Sequence, residues 1–510
     1  VNRSSPFFAW LAILALGSPL RAAWALDTSQ RQISELELFN RCFGHLTQSR
    51  LPLGHSLRAR IIQGSLSGIE ACMALVDSAA LVGPGSPNEG QLIVDTPEAR
   101  TVLKTLNDFH RSWFPNDSLE TSITVGDLGF PRTHDLTDET ESALHITRAL
   151  LTDGVKYSES VTSSFSVEGL RSGGAMTDAA ALPAMRLQHA SAINSLTLAD
   201  INALLVEKGE LLGVRRITDI LNTSKYNQTV NPSDAILDRT GNRYTYQTAP
   251  IDVHRNLGGG AGLISTRSYF MLNQGRSDRL QMDGGIGLHR RWSKAILHDT
   301  MCRELPVIRT TDATPYVQTA VTSATPPFRT SRNCMGCHAT MDPMASVIRN
   351  HSLYFVPSMS ANGNIVTAQV ASWPITLPRE AGQVDSDLNF YQRPPNGRFF
   401  YRSYDGTLIK RDLLGLASLG AAISESKDFY ACAASRYLEF FTGIRVGLHD
   451  VGDPGQAPLN DAERYYRGEV IRIGEALRID AKQSLRTLIY QILSSELYRK
   501  NSMRQPGSGN

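Results

Sequence analysis

Residues 334–338 read Cys-Met-Gly-Cys-His, and no other stretch of the chain makes so specific a demand on its surroundings. Two thiols three positions apart, with an imidazole directly after the second, is the spacing of covalent haem attachment. On a helix the thiols stand about one turn apart, in reach of the two vinyl groups along one haem edge. The next side chain, His338, then points at the iron. At this content of Cys and His, chance yields that order roughly 0.002 times per chain. Three other uses of the thiols compete: a zinc site completed by Cys302 or His338, a thioredoxin-like redox pair, and a plain disulfide. Two zinc ligands at adjacent positions crowd a tetrahedral ion. The preceding Thr322 to Arg332 (TSATPPFRTSR) is a Pro/Ser/Thr connection without strand alternation, and a plain disulfide leaves His338 without a role.

Composition narrows the setting. The chain has 510 residues, 41% hydrophobic and 20% charged, which is a globular balance. With 51 Lys and Arg against 49 Asp and Glu the formal charge is +2, and no block of like charge appears. That argues against nucleic acid as a partner. Arg3 precedes an apolar run from Phe7 to Leu16 (FFAWLAILAL), with small residues at Ala23 and Ala25, so residues 1–25 are expected to be a secretory signal. The apolar run is about half the ~20 residues that span a bilayer. No later run is long enough, and the mature chain is expected in the periplasm or secreted, without a transmembrane span.

In an oxidising compartment the remaining cysteines, Cys42, Cys72, Cys302 and Cys432, call for partners and allow three pairings. Cys42 and Cys72 flank an amphipathic region (Leu36, Leu38, Phe39, then Ile61, Ile62, Leu66, Ile69), which suggests a staple between two helices. Cys302 and Cys432 are then the long-range pair.

Apolar residues recur at spacings of three and four, as in Val102, Leu103, Leu106, Phe109 and Trp113, and in Leu198, Ile201, Leu204 and Leu205. The expected class is mainly α, a multi-segment helical protein with an embedded cytochrome c-like haem segment and a small β excursion. Thr197 with Asp200 and Ser484 with Thr487 read as helix openings, and Pro306 is expected to stop a helix running from about Leu288 to Leu305. Turn-forming clusters at 83–90, 240–242 and 392–397 suggest boundaries. They give an N-terminal helical region over 26–95, a helical domain over 96–245, a haem region over 246–360, a β-containing excursion over 361–404 and a C-terminal helical domain over 405–510.

Further signatures add a family likeness. Gly262-Leu263-Ile264-Ser265 with Tyr269-Phe270, the helix LHRRWSKAILHDTMCRELP (288–306) and CMGCHATMDPMA (334–345) occur in the order of a large bacterial family. The chain resembles the planctomycete-type cytochrome c proteins, in which one haem motif followed by a CH..xDPxG stretch sits among helical domains. Phe429 to Val446 and Ser484 to Asn501 resemble that family's terminal domain, so the likeness runs from about Ile217 to Asn501. Met344-Ala345 departs from it, where the family carries a bulky residue and Gly. The resemblance implies redox work at a single bound haem c and names no substrate.

The sixth iron ligand divides electron transfer from oxygen or peroxide chemistry. Met341 and Met344 follow His338 too closely to reach the opposite haem face. Met359 and His351 have the reach, as do His289 and His298, and an open position is the alternative. Carbonyls of an Asp342-Pro343 turn are expected to hold the His338 Nδ1 proton. Electron transfer, with a redox partner protein or small molecule, is the leading expectation. A haem-dependent oxidative enzyme would use Arg290, Arg291 or His298 on its open side. A binding scaffold would expose aromatics at Tyr465-Tyr466 or Phe399-Phe400-Tyr401. Weaker motifs are read as packing or surface turns: the glycine loop 258–262 as a close-packing loop, and Asp234 with Asp238 and Asp450 with Asp453 as solvated pairs without the pattern of a calcium loop.

Overall fold

The computed structural model describes residues 32–86, 89–115, 140–164, 167–169, 246–247, 260–273, 287–317, 327–348, 351–360, 363–372 and 394–500. The expected signal over 1–25, the helix opening at Thr197 and the pair Asp234 and Asp238 lie outside these residues. The strands at 351–360 and 363–372 are described by their backbone pairing alone.

The described chain is mainly helical. Helix α1 (Glu35–Thr47) opens on a reciprocal capping box, Ser34 with Glu37, and buries Leu38, Phe39, Cys42, Phe43 and Leu46 along one stripe. Such a box satisfies two of the amide donors that a helix start leaves bare. The short α2 (Ser56–Ile62) leads to α3 (Gly68–Ser78), capped the same way by Ser67 and Glu70. Helix α4 (Pro97–Arg111) begins with Thr96 as cap and Pro97 at its first position, where the missing amide costs nothing. Its Val102, Leu103 and Leu106 are fully or almost fully buried, as their spacing predicts. Helices α5 (Glu141–Leu151) and α6 (Glu159–Thr162) complete the N-terminal group. A single helical turn at Gly262–Ser265 precedes α7 (Arg267–Leu272). Gly262 has φ 51°, and a Cβ there would stand 2.2 Å from the Ser160 carbonyl oxygen, so this glycine serves close packing against α6.

Helix α8 (Gly287–Met301) stops earlier than its sequence suggests. The expected end at Pro306 is corrected to Met301, because Cys302 turns left-handed at φ 52°. The Cys302 amide folds back onto the His298 carbonyl at 3.2 Å, the αL closure usually built on Gly, and the Arg303 amide reaches the Leu297 carbonyl at 2.9 Å. After α9 (Thr310–Ala313) comes α10 (Arg332–Ala345), which carries the CMGCH motif.

The β structure begins earlier and ends later than the expected excursion. Strands His351–Ser360 and Gly363–Ser372 form one antiparallel hairpin, Asn396–Arg402 and Leu408–Leu414 a second, and residues 168–169 pair with 246–247. In the second hairpin Phe399, Phe400 and Tyr401 are all buried, so neither face is an exposed aromatic patch. The strand Asn396–Arg402 lies between α10 and the C-terminal helices, and both of its faces are covered.

The C-terminal helices are α11 (Gly415–Ser424), α12 (Lys427–Thr442), α13 (Asp461–Ile479), α14 (Leu485–Ser494) and α15 (Glu496–Arg499). Ser484 caps α14 through the Thr487 amide. One contiguous apolar cluster runs from Ile33 to Tyr498, drawing on both ends of the chain. The ends meet directly, the Ile33 amide donating to the Arg499 carbonyl at 2.9 Å. Among the described residues no helix is long and apolar enough to cross a membrane.

Cys42 and Cys72 approach with Cα atoms 6.0 Å apart and join α1 to α3. Cys302 and Cys432, 5.2 Å apart, join the end of α8 to α12 across 130 positions. Closing so long a loop in the unfolded chain is worth about 4 to 5 kcal/mol on a chain-entropy account. A Cys302→Ser, Cys432→Ser chain is therefore expected to unfold at a markedly lower urea concentration than the oxidised parent. Equal midpoints would show that the pair does not constrain the unfolded chain.

Candidate functional site

Helix α10 wedges between α8, the strand Asn396–Arg402 and α9. Its faces are sorted by neighbour. Met335 and Ala339 join a small apolar cluster with Ile308, Ala313 and Phe400, while Met344 faces the main core. Cys334 and Cys337 stand half-buried, and neither is paired with another cysteine. The strand is held to α9 by Arg402, whose guanidinium forks onto Asp312 at 2.6 and 2.7 Å. It meets α10 at Gly397, where a Cβ would fall 2.4 Å from the Pro343 carbonyl oxygen and 2.7 Å from Val347 Cγ1. Only glycine lets strand and helix come this close.

A cleft of about 690 Å3 opens between this strand and α10, bordered by Arg290, Tyr316, Arg329, His338, Asp342 and Arg398, among others. That volume lies within the range of cofactor and ligand sites. His338 thus lines the cleft, while neither Cys334 nor Cys337 is among the residues that border it.

The turn expected at Asp342-Pro343 is corrected. Helix α10 continues through Pro343 to Ala345, and this sets Asp342 four residues after His338 on one face. The Asp342 carboxylate, not a turn carbonyl, takes the His338 imidazole: Nδ1 lies 3.1 Å from Oδ1. Arg290 of α8 donates to both oxygens of the same carboxylate, Nε to Oδ1 at 2.8 Å and Nη2 to Oδ2 at 3.2 Å. Arg329 comes within 3.7 Å of Oδ2. Since Nδ1 donates to the carboxylate, the lone pair of the neutral ring is on Nε2. Arg329 escaped the sequence reading, and Asp342 entered it only through its backbone carbonyl. The i, i+4 spacing of His338 and Asp342 was the available signal, but the intervening helix was masked by Pro343.

The Cys337 thiol lacks the lowered pKa of a reactive cysteine. Burial pushes the Cys337 thiol above its ordinary value, helped by Cys334 and opposed by Lys294 of α8. Reactive cysteines are shifted the other way. Among the described residues no three His, Cys, Asp or Glu side chains converge as a metal-ion cage, and Cys302, the proposed extra zinc ligand, lies against Cys432.

The distal candidates separate. His289 is fully buried, with Nε2 3.0 Å from the Ile348 carbonyl oxygen. His298 pairs with Asp299 at 2.7 Å and with Glu304 at 3.4 Å. Arg290 is committed to Asp342, on the Nδ1 side of His338, and Arg291 is exposed. His351 and Met359 fall at opposite ends of the strand His351–Ser360, outside the residues whose side chains are described. Asp450 holds the Arg309 guanidinium at 2.7 and 3.0 Å and the Gly452 amide at 2.8 Å, which makes it a loop anchor. No family model, curated protein or solved structure matches the chain.

Proposed function

We propose that the protein is an exported c-type cytochrome that holds one haem covalently through Cys334 and Cys337, takes His338 as its proximal iron ligand, and transfers electrons. The observation that carries this reading is the division of the six cysteines. Four come together as two distant pairs, and the two left over are those that stand one helical turn apart beside His338. This donor set fits haem c better than it fits zinc or a redox disulfide. The bound haem would supply a one-electron couple at its iron.

The chain's own groups have distinct parts in this reading. The thiols would anchor one edge of the macrocycle, and the Nε2 lone pair of His338 would be the iron donor. Asp342 holds the ring's orientation and tautomer from the other nitrogen. Met335, Ala339, Pro343 and Leu413 give the cleft apolar wall, while Arg329 and Arg398 border it with positive charge. Two cysteine pairs at disulfide-forming distance agree with an oxidising compartment.

Expression with a haem-attachment system, followed by the reduced pyridine spectrum and intact mass of the denatured protein, tests the cofactor. A mass lacking one haem ends the proposal. Carbon monoxide added to the native ferrous protein tests the role. A carrier with both axial positions filled resists binding, and rapid binding would promote the oxidative enzyme in its place.

A further inference from the structure

We propose that Asp342 and Arg290 are positioning residues that set the reduction potential of the haem from the far side of His338, by opposing pulls on one hydrogen bond. The proposal rests on the haem reading above.

The geometry is specific. The Asp342 carboxylate is only 19% exposed and His338 20%, so their 3.1 Å contact is partly shielded from water. A carboxylate that accepts the Nδ1 proton gives the ring imidazolate character and makes Nε2 a stronger donor. A stronger donor favours ferric over ferrous iron and lowers the potential. Arg290 works against this. Its Nε lies 2.8 Å from Oδ1, the same oxygen that His338 uses, and its fork on the carboxylate withdraws negative charge from it. Arg329 at 3.7 Å adds to that withdrawal. The two helices thereby place an anion and its counterion in series behind the imidazole: His338 and Asp342 on α10, Arg290 on α8.

Opposed roles predict opposed shifts, which a merely structural pair would not give. In Asp342→Asn the hydrogen bond weakens and the potential rises. In Arg290→Gln the carboxylate keeps its full charge and the potential falls. The control is Asp412→Asn, which removes a carboxylate that lines the same cleft but pairs with Arg398 and has no contact with His338. Spectroelectrochemical titration of the haem-loaded full chain reads all three. The expected result for Asp342→Asn is an upward shift worth at least tenfold in the reduced-to-oxidised ratio, about 59 mV for a one-electron couple, with a smaller shift for the control. A shift in Asp342→Asn no larger than in Asp412→Asn overturns the proposal. If Asp342→Asn fails to fold or to retain haem, the Arg290→Gln potential decides, and an unchanged or raised value overturns it. The pyridine spectrum of the parent protein keeps the two readings apart: a parent without haem removes the cytochrome reading itself, while a haem-bearing parent with unmoved variants removes only this one.

Discussion

Serine at both Cys334 and Cys337 is expected to remove the haem while leaving the fold in place. The purified chain should emerge lighter by one haem, and its denatured reduced pyridine spectrum should lose the haem bands entirely. Neither thiol is tied to another cysteine, and both are half-buried on the flank of α10, so the substitution opens no core cavity. Each single serine variant is expected to keep one thioether and therefore one haem, with a shifted spectrum. Cys302→Ser should retain the haem and lose stability. That contrast divides the six cysteines by chemistry: a pair for the cofactor and two pairs for the chain. Intact mass of the five chains measured side by side checks it, and a double-serine chain that still carries covalent haem would refute the assignment.

A second large effect is acid lability from two buried histidines. His110 is fully buried among α4, α5 and α12, with Nδ1 2.7 Å from Thr147 Oγ1 and Nε2 2.7 Å from Tyr437 Oη. Thr147 donates its proton to the Ala143 carbonyl at 2.9 Å, or to Asn107 Oδ1 at 3.1 Å, so it accepts from His110 Nδ1. Nε2 then accepts from Tyr437, whose hydroxyl burial keeps protonated. The neutral ring is satisfied on both nitrogens, and a second proton has no acceptor. Burial lowers its pKa to about 3, and does the same for His145 on α5, with Arg148 adding to the effect. Because the folded values lie below the unfolded value near 6.5, the unfolded chain binds more protons between pH 6.5 and 3. Stability is therefore complete above pH 6.5 and falls as the pH drops, by about 1.4 kcal/mol per pH unit for each histidine. His45 and His449 are lowered in the same sense, first by burial. Over the span from pH 6.5 to 4.5 the carboxylates Asp77, Asp299 and Asp428, raised by burial, contribute with the opposite sign, so a comparison with a histidine variant isolates the histidine part. Urea midpoints across that span should fall steeply, and His110→Gln should remove about one proton from the slope. A His110→Gln chain with the same pH slope as the parent would show that this ring is protonated without cost.

Local patterns were legible in the sequence where the interaction is local. The spacing of Val102, Leu103 and Leu106 determines a buried stripe by itself, and Ser484 with Thr487 determines a helix start, because both depend on neighbours one turn away. The C-x-x-C-H order is a local rule of the same kind, and it nominated Cys334, Cys337 and His338 unaided.

Other features depended on partners far along the chain. The end of α8 was misplaced because a left-handed Cys302 replaces the glycine that would announce it. Continuation of α10 through Pro343 gave Asp342 the part expected of a turn, and only the packing of α8 beside it brings Arg290 to the same carboxylate, 52 positions away. A strand was expected at Phe399 and Tyr401 and is present; that Phe400 is buried as well follows from covering on both faces, which no alternation marks. By itself, then, the sequence nominated the residues proposed here to hold a haem and predicted a mainly helical chain. The tertiary structure decided what stands behind His338 and which histidines are spent on the core, since burial and charge pairing are set by the elements that close over a residue.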